Sequence, residues 1–261
     1  MSRIAIVGVG TMGEAVLAGL VNSGATVLAG VRRTERGAEL AERYAVTAGA
    51  PAEVAAGADV VVLGVKPYDI VPVVASLDLQ PGQLVVSLAA GVTTAAIEAA
   101  VPAGVKVVRV MPNTPSLIGQ GMSVVAGGSS ASDADVEQVA ELMRAVGSAV
   151  VVPEKHVDAA AAISGSGPAY VFYVAEALVE AGVHLGLPRA AASELVTQTL
   201  VGSALLMRET GEHPAVLREQ VTSPGGTTAA ALRVLESGAV RAAFLDATRA
   251  NAQRSRELSE G

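Results

Sequence analysis

Apolar positions in the first part of the chain come in short, nearly unbroken runs rather than in alternation. Seven such runs, at 3–8, 26–31, 59–65, 83–88, 105–110, 123–126 and 149–152, are rich in Val and Ile. Runs of that length fit strands covered on both faces, as in a parallel sheet. Between them, Ala-rich stretches at 11–23, 34–44, 67–76, 93–100 and 132–146 predict helices. Strand–helix alternation of this kind specifies a doubly wound α/β domain. After Pro153 no β-branched run of strand length follows, and the pattern predicts helices at 154–163, 168–183, 188–208, 213–220, 226–236 and 239–257. Gly and Pro separate them at 165–168, 186–188, 211–214 and 224–226. The expected organisation is an α/β domain over 1–153 and an all-helical domain over 154–261. Several of the later helices are apolar around much of their circumference, more than so small a domain can bury, so a second copy of the chain is expected against them.

Composition narrows the class. The 261 residues are 51% hydrophobic but 2% aromatic, with no Trp, so the core must be built from Ala, Val, Leu and Ile. That hydrophobicity excludes a disordered chain. The absence of Cys excludes a disulfide scaffold and a Cys-ligated metal site. A net charge of −7 with almost no aromatic residues argues against nucleic-acid binding. The long uncharged stretches at 79–97 and 110–132 are broken by Gly, Pro, Asn, Gln and Ser, which does not suit a membrane span. No secretory pattern precedes the run that begins at Arg3, and the expectation is a cytoplasmic protein with no membrane partner.

The first candidate chemistry is Gly8-Val9-Gly10-Thr11-Met12-Gly13, a G-x-G-x-x-G between the first strand and the first helix. Its first Gly permits a tight turn, the second lets the backbone approach a pyrophosphate, and the third permits close helix–strand packing. The helix start then offers free N–H groups to the anion. Alone, such a motif also fits a flexible turn; its place inside a βαβ unit makes it a dinucleotide site. The end of the second strand reads Val31-Arg32-Arg33-Thr34, without the acid that accepts from a ribose 2′-hydroxyl. Arg32 and Arg33 supply guanidinium forks suited to a 2′-phosphate, and Thr34 adds a hydroxyl. The same residues also fit an exposed basic helix start. NADPH is favoured over NADH.

Further segments carry a resemblance. They are Val65-Lys66-Pro67, Ala89-Ala90-Gly91-Val92, Met111-Pro112-Asn113-Thr114-Pro115, Ser164-Gly165-Ser166-Gly167-Pro168-Ala169-Tyr170 and Val221-Thr222-Ser223-Pro224-Gly225-Gly226-Thr227-Thr228. Together they resemble the pyrroline-5-carboxylate reductase family from Ile4 to about Leu258. The resemblance implies a Rossmann-type domain, a helical domain that interlocks with its partner in a dimer, and often a decamer of such dimers. It implies reduction of (S)-1-pyrroline-5-carboxylate to L-proline, the last step of proline biosynthesis. By position, Gly8–Gly13, Arg32–Thr34, Val65–Pro67, Ala90 and Gly91 would line the cofactor. Ser223, Gly225, Gly226, Thr227 and Thr228 would hold the substrate, with Thr228 facing its imine nitrogen. Gln220 stands where some members have Asn near the cofactor.

The residues themselves can do this chemistry. Two glycine-rich loops precede helices, so their free N–H groups can grip a carboxylate without a cationic side chain. Each loop taken alone also reads as a helix start with a Ser/Thr cap. Thr228, an ordinary alcohol, suits an orienting donor to the nitrogen rather than a general acid. His156, His184 and His213 lie scattered near helix ends, and Glu176 and Glu180 form a stripe one turn apart; surface roles suit them better. Lys66, followed by Pro67, shapes a cofactor loop. A β-hydroxyacid dehydrogenase would rely on a Lys in the second domain, where only Lys155 is present, at its start. A reductase of another cyclic imine and a non-catalytic NADP(H)-binding regulator are the remaining alternatives.

Overall fold

The computed structural model describes residues 2–260. Among these, eight strands form one sheet: β1 (Arg3–Val7), β2 (Thr26–Gly30), β3 (Thr47–Gly49), β4 (Val60–Leu63), β5 (Leu84–Ser87), β6 (Lys106–Met111), β7 (Gly121–Gly127) and β8 (Gly147–Val151). Their order is β3-β2-β1-β4-β5-β6-β7-β8. The pairings from β3 across to β6 are parallel, as the unbroken apolar runs predicted. All four residues of β4 and of β5 are buried. Side chains of one strand divide between the two faces: Ile4 and Ile6 join the core with Leu17 and Leu20, while Ala5 and Val7 join the core with Leu63 and Ile70. Each of the larger side chains contributes on the order of 1.5–3 kcal/mol by leaving water.

Two features depart from the sequence reading. β7 runs antiparallel to β6. The chain between them holds only the 3-10 turn Thr114–Ile118, and a connection without a crossover helix returns a strand antiparallel. The helix Asp133–Arg144, started by a Ser132–Asp135 capping box, then restores a parallel β7–β8 pair. The second departure is β3 with the helix Pro51–Ala56, in a stretch that showed no apolar run. Thr47–Gly49 becomes a strand because Leu28–Gly30 lie beside it, and Pro51 sits in the first helical turn, where its missing N–H is harmless.

Strand structure ends at Val151, and the 3-10 turn Glu154–His156 opens the helical part. By compactness, however, the first unit runs on to Pro168 and takes back the chain from Ala250. Fully buried Val157 packs with Val124 and Ala126, which ties this stretch to the sheet. Arg109, 3% exposed on β6, reaches the same stretch, with Nη2 3.2 Å from Asp158 and Nη1 3.8 Å from Glu154.

The second unit spans Ala169–Arg249. It carries most of the helix Gly167–His184, then Arg189–Thr210, Pro214–Gln220, Thr227–Ser237 and the start of Val240–Glu260. Among the described residues of this unit only Ala192 is buried. Phe172, Tyr173, Leu185, Leu195, Val234 and Leu245 are all more than half exposed. Apolar surface on this scale marks an interaction face. One helix among the described residues, Arg189–Thr210, is long and apolar enough by length and composition to cross a membrane.

Candidate active site

The carboxyl ends of β1, β2 and β4 open into a cleft of about 930 Å³ on the first unit. Open parallel sheets bind ligands at such strand ends. The cleft is lined by Gly8, Val9, Gly10, Thr11 and Met12, by Arg32 and Arg33, by Val65, Lys66 and Pro67, and by Ala90. Residues expected from four separate segments thus meet in one place. Gly13, Thr34 and Gly91 do not line it, although each is next in sequence to a residue that does.

The three glycines of the motif have separable roles. Gly8 has φ +87°, and a Cβ there would lie 2.8 Å from the Val65 backbone nitrogen. At Gly13 a Cβ would lie 2.5 Å from the Gly8 carbonyl oxygen, so this glycine lets the helix Thr11–Asn22 seat against the loop. Gly10 is different: its φ is −85°, and a Cβ would meet nothing within 4 Å. Nothing within the chain fills the space beside Gly10, which stays open on the cleft side of the backbone. Gly10 also caps the helix Thr11–Asn22 without any side-chain hydrogen bond, which leaves its first N–H groups facing the cleft. A pyrophosphate fits this arrangement.

Electrostatics at the far end agree with a second phosphate. Arg32 and Arg33 are exposed, line the cleft and have no ion-pair partner among the described residues. Sequence reasoning missed Arg36, which also lines the cleft. Its signal was present: Arg36 lies three residues after Arg33, on the same side of the helix Thr34–Tyr44. Arg36 is not free, since it pairs with Glu14 and donates to Glu39 at 3.0 Å.

The substrate-loop residues belong to the second unit. Ser223, Gly225, Gly226, Thr227 and Thr228 form a turn, with Gly225 at φ +70° and the Gly226 N–H donating to the Ser223 carbonyl at 3.0 Å. The capping alternative is not what the structure shows: the helix Thr227–Ser237 is capped by Gly226 with no side-chain hydrogen bond. By contrast Thr93 and Ser132 do cap their helices with hydroxyls. The hydroxyls of Ser223, Thr227 and Thr228 make no hydrogen bond among the described residues, and the first N–H groups of the helix are unsatisfied. That combination suits a carboxylate beside a polar nitrogen. Gln220 ends the preceding helix and is exposed.

The other glycine-rich loop is braced from two sides. The expected helix at 154–163 gives way to a wide π-type turn over Ala161–Gly165, in which the Ser166 N–H donates to the Ala161 carbonyl at 3.0 Å. Wide turns of this kind recur at functional sites. Buried Asn113 donates to the Ser164 carbonyl at 2.9 Å and accepts from the Met122 N–H at 2.8 Å. Asn251 donates to the Ser166 hydroxyl at 2.8 Å. Of the titratable residues weighed earlier, His213 accepts from the Ala215 N–H and Glu180 pairs with Arg189 at 2.7 Å; both are structural contacts.

Known proteins share this plan. A family model described as pyrroline-5-carboxylate reductase dimerisation matches residues 154–258, and one described as NADP oxidoreductase, coenzyme F420-dependent, matches residues 3–91. The pyrroline-5-carboxylate reductase of Corynebacterium melassecola is 46% identical, with all of both chains covered. The solved pyrroline-5-carboxylate reductase of Coxiella burnetii is 38% identical with a TM-score of 0.95, covering 99% of this chain and 98% of that one. The pyrroline carboxylate reductase of Plasmodium falciparum, solved with NADP bound, is 28% identical with a TM-score of 0.84, covering 99% and 98%. Motifs, fold and likeness over the full length agree, and the chain belongs to the pyrroline-5-carboxylate reductase family.

Proposed function

We propose that this oxidoreductase reduces (S)-1-pyrroline-5-carboxylate to L-proline, the last step of proline biosynthesis, and prefers NADPH to NADH. The observation that carries the reading is the cleft: a glycine loop with open space beside Gly10, running to Arg32 and Arg33, which have no ion-pair partner among the described residues. When bound, NADPH supplies the hydride that goes to the imine carbon. Backbone N–H groups over Gly8–Gly13 hold the pyrophosphate, and Arg32, Arg33 and Thr34 hold the 2′-phosphate. Val65, Lys66, Pro67 and Ala90 wall the cofactor.

On the substrate side, N–H groups and hydroxyls over Ser223–Thr228 hold the carboxylate. Thr228 donates a hydrogen bond to the imine nitrogen, orienting it and stabilising the developing amine. In this reading residues 1–153 serve the cofactor, and residues 154–261 serve substrate and dimer. The open apolar faces of the second unit, Arg189–Thr210 included, meet a second copy of the chain in an interlocked dimer, and dimers assemble into a decamer. We further assign the protein to the cytoplasm.

The test follows nicotinamide absorbance with purified protein. Rapid oxidation of NADPH is expected with pyrroline-5-carboxylate, and no reduction of NADP with 3-hydroxyacids. No turnover with the imine would overturn the reading.

A further inference from the structure

The helix Thr11–Asn22 carries the glycine loop, and the helix Thr34–Tyr44 begins with the 2′-phosphate residues. One carboxylate joins them. Glu14 accepts from Arg36, from Arg43 at 2.8 Å and from the Tyr44 hydroxyl at 2.9 Å. Three donors from one helix therefore converge on a single side chain of the other. Arg36 also places Nη2 3.4 Å from the carbonyl of Val9, which lies between Gly8 and Gly10, while facing the cleft. Burial pushes the Glu14 carboxyl up, but the bonds from Arg36, Tyr44 and Arg43 outweigh it and hold it below the usual range. The carboxylate stays charged at neutral pH, and the two guanidinium groups beside it balance that charge within the cluster.

Both elements also have anchors outside this cluster. Leu40 is fully buried and Gly37 packs against Ala48, which holds the body of the second helix. The glycine loop is anchored separately by the Gly8 N–H donating to the Gly30 carbonyl at 3.1 Å. Arg43 and Tyr44 tie the last turn of Thr34–Tyr44 to Glu14, and Arg36 ties its first turn, which follows directly on Arg32 and Arg33.

We propose that Glu14 and Arg36 form a brace that sets the 2′-phosphate loop against the glycine loop, making both positioning residues for cofactor choice. This rests on the reading that the cleft holds NADPH. A guanidinium suits the task because its planar fork bonds Glu14, Glu39 and the Val9 carbonyl together, whereas an ammonium is a point charge. NADH has no phosphate at this loop, so displacement of the loop leaves its contacts in place.

The experiment measures direct binding by titration calorimetry on the full-length wild type and on Arg36→Met, Arg36→Lys and the double variant Arg32→Ala/Arg33→Ala. Arg36→Met is expected to weaken NADPH binding about fivefold or more and to change NADH binding less than twofold; the NADH value also reports that the cleft is folded. Arg36→Lys, which keeps the charge, is expected to behave like Arg36→Met. Wild-type NADPH affinity in Arg36→Met, or its full recovery in Arg36→Lys, overturns the brace. If the double variant weakens NADPH while Arg36→Met does not, the brace alone is wrong. If the double variant itself binds NADPH normally, the assignment of the 2′-phosphate site fails.

Discussion

Substituting Ala for Gly10 separates a glycine kept for a ligand from glycines kept for the fold. The backbone there is in an ordinary extended conformation, with φ −85° and ψ −166°, and the added methyl would meet nothing within 4 Å. Two small effects on stability oppose each other. Ala is a poorer helix N-cap than Gly by about half a kcal/mol. Replacing Gly stiffens the unfolded chain, which stabilises by about 0.4–1 kcal/mol. The net is close to zero, so Tm should move by less than about 2 °C in a chain of this size. Binding is another matter, because the methyl projects from the backbone where the pyrophosphate must come closest. Losing one or two charge-assisted hydrogen bonds there costs about 1.5–3 kcal/mol each. At a factor of ten per 1.4 kcal/mol, that weakens NADPH at least about tenfold. Calorimetry on the wild type and Gly10→Ala gives the affinity, and thermal unfolding without cofactor gives Tm. The matched control is Gly8→Ala, which forces φ +87° on a residue with a Cβ and drives it against the Val65 nitrogen, and so should lower Tm clearly. NADPH affinity within twofold of wild type in Gly10→Ala would refute the argument, as would a Tm loss like that of Gly8→Ala.

On the proposed role of its hydroxyl at the imine nitrogen, Thr228→Ala is expected to lower kcat about tenfold or more while NADPH affinity stays near normal; steady-state rates and calorimetry together check this. Arg109→Met strands Glu154 and Asp158, but Thr94 still bonds Glu154 at 2.6 and 2.7 Å and Ser255 bonds Asp158 at 3.0 Å. The loss should be about 2 kcal/mol, below the roughly 3–5 kcal/mol of a fully buried broken pair because both carboxylates are partly exposed and keep other partners, and is read as a lowered denaturation midpoint. Acid stability should depend on Glu14 and Asp135. In both, burial raises the pKa, but hydrogen bonds outweigh it: from Arg36, Tyr44 and Arg43 to Glu14, and from Lys106 and Ser132 to Asp135. Folded-state values below the unfolded ones mean stability fully present above about pH 4.5 and lost as pH falls further. Tm measured from pH 7 to pH 3.5 should drop in that window, and less steeply in Glu14→Gln.

Much of this protein was legible from period and punctuation alone. Unbroken Val/Ile runs determined the parallel strands, because a strand covered on both faces has no polar side to show. Gly and Pro spacing determined the helical second half, and the apolar girth of its helices already pointed to self-association. Gly8–Gly13, Arg32 and Arg33 were readable because a glycine loop and a cation pair carry their chemistry in local sequence. Other features depended on neighbours distant in the chain. Thr47–Gly49 is a strand only because β2 lies beside it, and β7 reverses because its connection holds no crossover helix. Arg36 had a local signal in its spacing from Arg33, but its bond to Glu14, twenty-two positions away, came only with folding, and Asn113 became a support only when Ser164 folded against it. The local pattern sets which residues are apolar, flexible or charged; the tertiary structure alone decides which of them share a hydrogen bond, because that depends on distances the chain acquires on folding.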